Sequence, residues 1–202
     1  MLFLSCLTLI CTHLFSQEKS FKAFKISQAP KIDGSLNDAA WLNAPGATGF
    51  VQNTPDVGNP STQKTEIKIV YDNAAIYVGA YLFDDPSLIR RRITARDEES
   101  QKDVDYFSVF FDTYHDKQNG FQFTVTSANV QTDARLGPNL GTADGGFGSL
   151  GDKTWDAVWE SKVQMQKDGW TVEMRIPYIS LRFAKRFTGL GYPVSTPDKT
   201  IE

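Results

Sequence analysis

The chain has 202 residues, 21 Lys and Arg against 24 Asp and Glu, and a formal net charge of −3. So mild an acidity argues against nucleic acid as a partner, which calls for a basic face. Two cysteines and two histidines in the whole chain leave little for disulfide scaffolds or clustered metal ligands.

Leu2 to Phe15 is mostly apolar and uncharged, Ser16 and Gln17 follow, and charge begins at Glu18 and Lys19. This reads as a signal peptide over residues 1–16, too short to span a membrane comfortably. Cys6, Cys11 and His13 lie within it, so the mature chain keeps no thiol and His115 as its single histidine. Ser-His-Asp or multi-His zinc chemistry would have to rest on that one residue. The expectation is an exported protein whose remaining length, about 185 residues, suits one β-rich domain with a real core.

The first structured run is Lys31-Ile32-Asp33-Gly34-Ser35-Leu36-Asn37-Asp38-Ala39-Ala40-Trp41. Here Ile32 is expected to close a strand, Asp33-Gly34 to turn the chain, and Ser35 to cap a short helix over Asn37 to Leu42. Trp41 offers a large apolar face at the helix end and reads as a core anchor. Thr65 to Tyr71 then alternates Ile67 and Ile69 against Glu66 and Lys68. Asp72-Asn73 turns into Ala75 to Phe83, with Ile76, Val78, Ala80 and Leu82 on one face and Tyr77, Tyr81 and Phe83 on the other. Such a strand is expected to be central and covered on both sides.

Pro86 to Arg91 is a second candidate helix. Asp105 to Asp112 is an aromatic strand, and Gly120 to Thr126 alternates Phe121, Phe123 and Val125 inward against Gln122 and Thr124 outward. Leu136 to Gly151 holds six glycines and reads as a long loop of the kind that is functional or disordered. No phosphate-cradling glycine motif accompanies it. Ala157 to Gln164 and Trp170 to Ile176 are strands joined through Lys167-Asp168-Gly169, a strong hairpin signal. Short strands with frequent turns predict an all-β fold, an antiparallel β-sandwich with one or two short helices. The domain is expected over residues 17–185. Residues 186–202 read as an irregular tail where a larger protein was cut short.

These pieces, in order, resemble the family 9 carbohydrate-binding modules and the related N-terminal domain of long bacterial surface proteins associated with the outer membrane. The resemblance rests on the opening run, Thr65 to Ile69, Tyr71-Asp72, Ile76 to Ala80, Arg96-Asp97 and Asp105-Tyr106-Phe107 through Phe111-Asp112. It continues in Gly120 to Phe123, Trp155-Asp156-Ala157-Val158-Trp159, Gly169 to Glu173 and Ile176-Pro177-Tyr178, and covers about Lys31 to Phe183. It implies a non-catalytic, glycan-binding β-sandwich of a secreted or surface protein, in the periplasm or at the outer membrane, serving carbohydrate catabolism. The alternatives are an interaction module that binds no glycan and packs against a missing C-terminal β-rich membrane region, and a fragment of a glycoside hydrolase. A glycoside hydrolase label would attach through accompanying catalytic domains.

Sugar rings pack on aromatic faces while their hydroxyls take charged partners. Trp155 and Trp159 lie four apart, so on a strand both would line one surface; core packing is the alternative. Tyr178 is another platform. Arg96 and Asp105 are polar ligand candidates or a structural ion pair, and Arg135 lies beside the glycine-rich segment. Family members place an aromatic platform before the central strand, whereas here Glu98 to Asp103 is polar throughout. Asp112, Asp116 and Asn119 offer hard oxygen ligands to calcium in a turn that reads first as a solvated hairpin loop; no other cofactor is expected. Hydrolysis would require two carboxyls across a bond, from among Asp103, Asp105, Asp112 and Glu173.

Overall fold

A computed structural model describes residues 20–98, 103–138 and 151–183, and among these residues the chain forms eight strands. The elements are β1 (Phe24–Lys25), α1 (Ala39–Leu42), β2 (Thr65–Tyr71), β3 (Ala75–Phe83) and β4 (Tyr106–Phe111). After them come β5 (Gly120–Thr126), β6 (Gln131–Leu136), β7 (Glu160–Gln166), β8 (Gly169–Pro177) and a 3₁₀ turn, Tyr178–Ser180. One sheet runs β1-β2-β3-β8-β7 and the other β4-β5-β6. Every pairing is antiparallel except β1 on β2, where Phe24 stands opposite Val70. The fold is a β-sandwich, as the strand pattern predicts.

The core lies between the sheets. Ile76, Val78 and Ala80 of β3 and Val172, Met174 and Ile176 of β8 meet Phe107 and Phe111 of β4 and Phe121, Phe123 and Val125 of β5. β3 is the middle strand of five, and its other face is covered too. There Tyr77, Ala75 and Val70 pack with Trp41 and Ala44, joined by Ile26, Ile32 and Leu36. The N-terminal run thus forms a second, smaller core on the outside of the five-stranded sheet.

A buried carboxylate holds that run in place. Glu173 of β8 is fully buried, and its Oε2 accepts the backbone N–H of Asp33 at 2.8 Å and of Gly34 at 2.6 Å. Its Oε1 accepts the indole N–H of Trp41 at 2.7 Å. Thr171 Oγ1 donates to the Gly34 carbonyl at 2.6 Å, and Lys68 Nζ to the Trp41 carbonyl at 2.8 Å. Gly34 takes the expected positive φ, +92°. Gly79 is the floor beneath the indole: a Cβ there would lie 2.8 Å from Leu36 Cδ2 and 3.1 Å from Trp41 Cε3. Trp41 is the anchor its position in the sequence suggests.

Several expectations are corrected. Ile32 closes no strand; it packs into the outer cluster, and the edge strand is the earlier β1. Ser35 does not cap α1. Asp38 stands at that position without a side-chain capping bond, its carboxylate accepting Lys31 N–H at 2.9 Å, while Ser35 N–H closes a turn on Asp33 Oδ1 at 3.0 Å. Pro86 to Arg91 is no helix: Asp85 takes the Ser87 N–H at 2.9 Å, closing a turn over Pro86, Ser87 and Leu88 and not a continuing ladder. β7 begins at Glu160, three residues later than expected, because residues 155–159 are held by a side chain. Gln122 and Thr124 do face away from the core, yet both are buried. Residues 139–150 of the glycine-rich segment and the tail from residue 186 lie outside the described residues.

Two outcomes follow. Gly79→Ala is expected to lower stability by about 1–3 kcal/mol by lifting Trp41 off the sheet, read as a lower denaturant midpoint. Burial pushes the Glu173 carboxyl above the ordinary glutamate range, against the pull of the Gly34 amide, the Trp41 indole and the Asp33 amide. A carboxyl whose folded pKa exceeds its unfolded one favours folding most while protonated, so its contribution falls as pH rises from the unfolded value through the raised one. Carboxyl NMR is expected to find Glu173 titrating above a free glutamate. Glu173→Gln is expected to cost about 1–3 kcal/mol, and the variant's stability–pH curve to lack that segment of slope, which the difference between the two proteins then displays.

Candidate functional site

One end of the three-stranded sheet opens into a cleft of about 480 Å³, lined in part by Tyr114, Asn119, Phe121, Arg135, Trp155 and Arg182. It sits where β5 begins and β6 ends, Gly120 opposite Leu136 and Phe121 opposite Arg135. Phe121 and Trp155 form its aromatic wall, with ring centroids 4.8 Å apart at 40°. Phe123 meets the same indole edge-on at 6.0 Å. Trp155 is therefore braced from the core side while part of its ring stays accessible.

Arg135 is positioned by the chain returning beside β6. Its N–H donates to the Asp152 carbonyl at 3.1 Å, and Asp152 N–H donates back at 2.9 Å. Gly151 allows this approach: a Cβ there would lie 2.5 Å from the Arg135 carbonyl oxygen. The Arg135 guanidinium then bonds Asp152 Oδ2 at 3.1 Å while staying about half exposed. Bonds from the Thr154 hydroxyl and amide, aided by Arg135, hold the Asp152 carboxyl below the ordinary aspartate range.

The hairpin loop between β4 and β5 supplies Tyr114 and Asn119. Asp112 accepts the N–H groups of Tyr114, Asp116 and Lys117, at 3.2, 3.3 and 2.8 Å. Asp116 accepts Gln118 N–H at 2.9 Å and both Asn119 N–H and Nδ2 at 2.7 Å. These carboxylates brace their own loop, whose His115 and Lys117 take left-handed φ of 57° and 55°. The Asp112 carboxyl sits below the ordinary range because backbone amides outweigh the raising effect of burial; for Asp116 the Asn119 bonds do the same. Among the described residues no group of three His, Cys, Asp or Glu converges on a metal-sized site.

The remaining candidates hold the frame. Arg96 does not meet Asp105. It bonds Asp133 Oδ1, Asp156 Oδ1 at 2.8 Å and Gln131 Oε1 at 3.2 Å. Asp133 is buried on the inner face of β6 and also takes Ala157 N–H at 2.7 Å and the Trp159 indole N–H at 3.1 Å. Burial raises its carboxyl above the ordinary range, opposed by the Trp159 and Ala157 bonds and by Arg96. Trp159 lies in the core, edge-on to Phe123 at 5.2 Å. Residues 155–159 are not a strand, so the two indoles diverge: one fills the core and the other faces the cleft.

Asp105 accepts Arg90 N–H at 2.7 Å at the entry to β4. Tyr178 packs edge-on to Phe183 at 6.0 Å and donates to the Asp72 carbonyl at 3.3 Å, its hydroxyl pushed up to about 12 by burial and by Asp72. Neither lines the cleft. The four carboxyls considered for hydrolysis stand apart: Asp103 pairs with Arg90, Asp105 and Asp112 cap backbone, and Glu173 is sealed under the N-terminal run. Sequence reasoning missed Asp133, Tyr114 and Arg182. A carboxylate at an inward register, Asp133 opposite Phe123, is the signal for the first; nothing in the sequence marks the other two.

Trp159→Ala is expected to cost about 3–5 kcal/mol, and Trp155→Ala clearly less, measured by denaturant unfolding, since only Trp159 is fully packed. Asp133→Asn should destabilise by about 2 kcal/mol or more through the donors it leaves ill-matched.

Comparison with known proteins agrees with this architecture. The family model described as carbohydrate family 9 binding domain-like matches residues 32–200. The fold is similar to a family 9 carbohydrate-binding module from Caldicellulosiruptor kristjanssonii solved with cellotriose, at TM-score 0.50 and 20% identity over 77% of this chain and 67% of that one. It is also similar to a protein of Bacteroides uniformis provisionally described as carbohydrate-binding, at TM-score 0.57 and 12% identity over 80% and 74%. At these identities the likeness is one of fold. No curated protein matches the sequence.

Proposed function

For this chain, which belongs to the carbohydrate family 9 binding domain-like family, we propose that the cleft at the end of the three-stranded sheet binds a glycan without cleaving it. The observation that carries this reading is Trp155, an indole braced on Phe121 and left open to a cleft that also holds Arg135 and Asn119. An aromatic face packs against the axial C–H groups of a pyranose, and guanidinium and amide groups beside it bind the ring oxygens and hydroxyls. Tyr114 adds a second ring on the loop side. The apolar start of the chain, Leu2 to Phe15, extends the reading to a glycan met after export.

The other three tryptophans, Trp41, Trp159 and Trp170, are buried, so a sugar-induced change in indole fluorescence reports on Trp155. Titration with a panel of mono- and oligosaccharides is expected to shift that fluorescence for at least one sugar. Trp155→Ala should weaken binding at least tenfold, about 1.4 kcal/mol, with an unchanged far-UV circular dichroism spectrum. A panel in which no sugar shifts either fluorescence or melting temperature overturns the reading.

A further inference from the structure

The polar groups of the cleft are unbalanced, and the imbalance names a ligand class within the glycan reading on which this inference rests. A neutral pyranose presents hydroxyls that both donate and accept, so a site built for it matches donors with carboxylate or carbonyl acceptors. Among the described residues two arginines, Arg135 and Arg182, line the cleft, and no Asp or Glu does. Among the described lining residues the one side-chain amide is Asn119, whose Nδ2 gives one of its two N–H donors to Asp116.

Arg135 is bonded through one terminal nitrogen to Asp152 and keeps other N–H donors on a guanidinium about half exposed. Arg182 is exposed, and its guanidinium has no carboxylate partner among the described residues. Its main chain is tied to the loop after β4, where Thr113 Oγ1 donates to the Arg182 carbonyl. Among the described lining residues both charged side chains are cations, on a chain of net charge −3, which general surface charge does not explain.

We propose that this cleft selects a sugar carrying an oxyanion, with Trp155 stacking the ring and Arg182, assisted by Arg135, taking the anionic group. Guanidinium donors match the paired oxygens of a carboxylate or sulfate in a way a hydroxyl does not. Two chemistries supply such a group, a uronic acid and a sulfated sugar.

The test is calorimetric titration of the full chain with trigalacturonate, a sulfated galactose disaccharide and cellotriose, at low and at moderate salt. At least one anionic sugar is expected to bind tenfold or more tighter than cellotriose, more weakly as salt rises, and which of the two does so assigns carboxylate or sulfate. Arg182→Gln is expected to reduce that affinity about tenfold with the melting temperature unchanged. Equal affinity for cellotriose, or an anion preference that survives Arg182→Gln, overturns this inference while leaving the glycan reading intact. Failure of all three sugars, joined by failure of the wider panel, removes both.

Discussion

Glu173 is the constraint on which the rest of the sandwich depends. The run from Asp33 to Trp41 has no strand partner, so its N–H groups need acceptors from elsewhere. A single carboxylate, projecting from the outer face of β8, accepts two of them and the Trp41 indole. With that clamp closed, the indole lies on Gly79 and the outer face of the five-stranded sheet is roofed by its own N-terminal segment. That face is thereby covered where Trp41 and its neighbours pack. Among the described residues a cleft opens at the end of the smaller sheet.

Asp133 repeats the device on that smaller sheet. Again a buried carboxylate on a strand accepts an indole N–H and a backbone N–H from a run that is not a strand. Here it also meets Arg96, whose charge offsets the burial that raises the Asp133 carboxyl. The two bonds hold residues 157 and 159 against β6, and Trp155 is carried to the rim as a result. The clearest aromatic wall of the cleft is thus placed by a residue that does not touch it. The chemistry proposed for the cleft depends on this indirect support more than on any contact within the lining itself.

Much of the fold was legible because its central strands obey period two. β2, β3 and β5 begin and end where the alternation does, and Ile76, Val78 and Ala80 face the core as their spacing requires. β6 escaped notice because Gln131 to Leu136 is polar. It pairs as an edge strand whose inward positions are Gln131, Asp133 and Arg135; Asp133 is buried with Arg96 and the Trp159 indole as partners, while Arg135 stays half exposed at the rim beside Asp152. The site was legible in its pieces. Arg135 and Trp155, named from their residue types, line one cleft, as does Asn119, which was named for calcium; Trp159, Arg96, Asp105 and Tyr178 had equally suitable chemistry and serve elsewhere.

By itself the sequence determined the β-sandwich class, the anchoring role of Trp41, the turn at Gly34 and the family to which the module belongs. The first three follow from local spacing (alternation, a glycine where φ must be positive, and a large apolar side chain behind a short helix), whereas the family is carried by the resemblance of ordered motifs and the family-model match. Only the tertiary structure decided which of two tryptophans four residues apart faces a ligand and which arginines share a cleft. Spacing puts Trp155 and Trp159 on one surface only if the backbone between them is extended as a strand. A hydrogen bond from Ala157 to Asp133, 24 positions earlier in the chain, keeps it from being one.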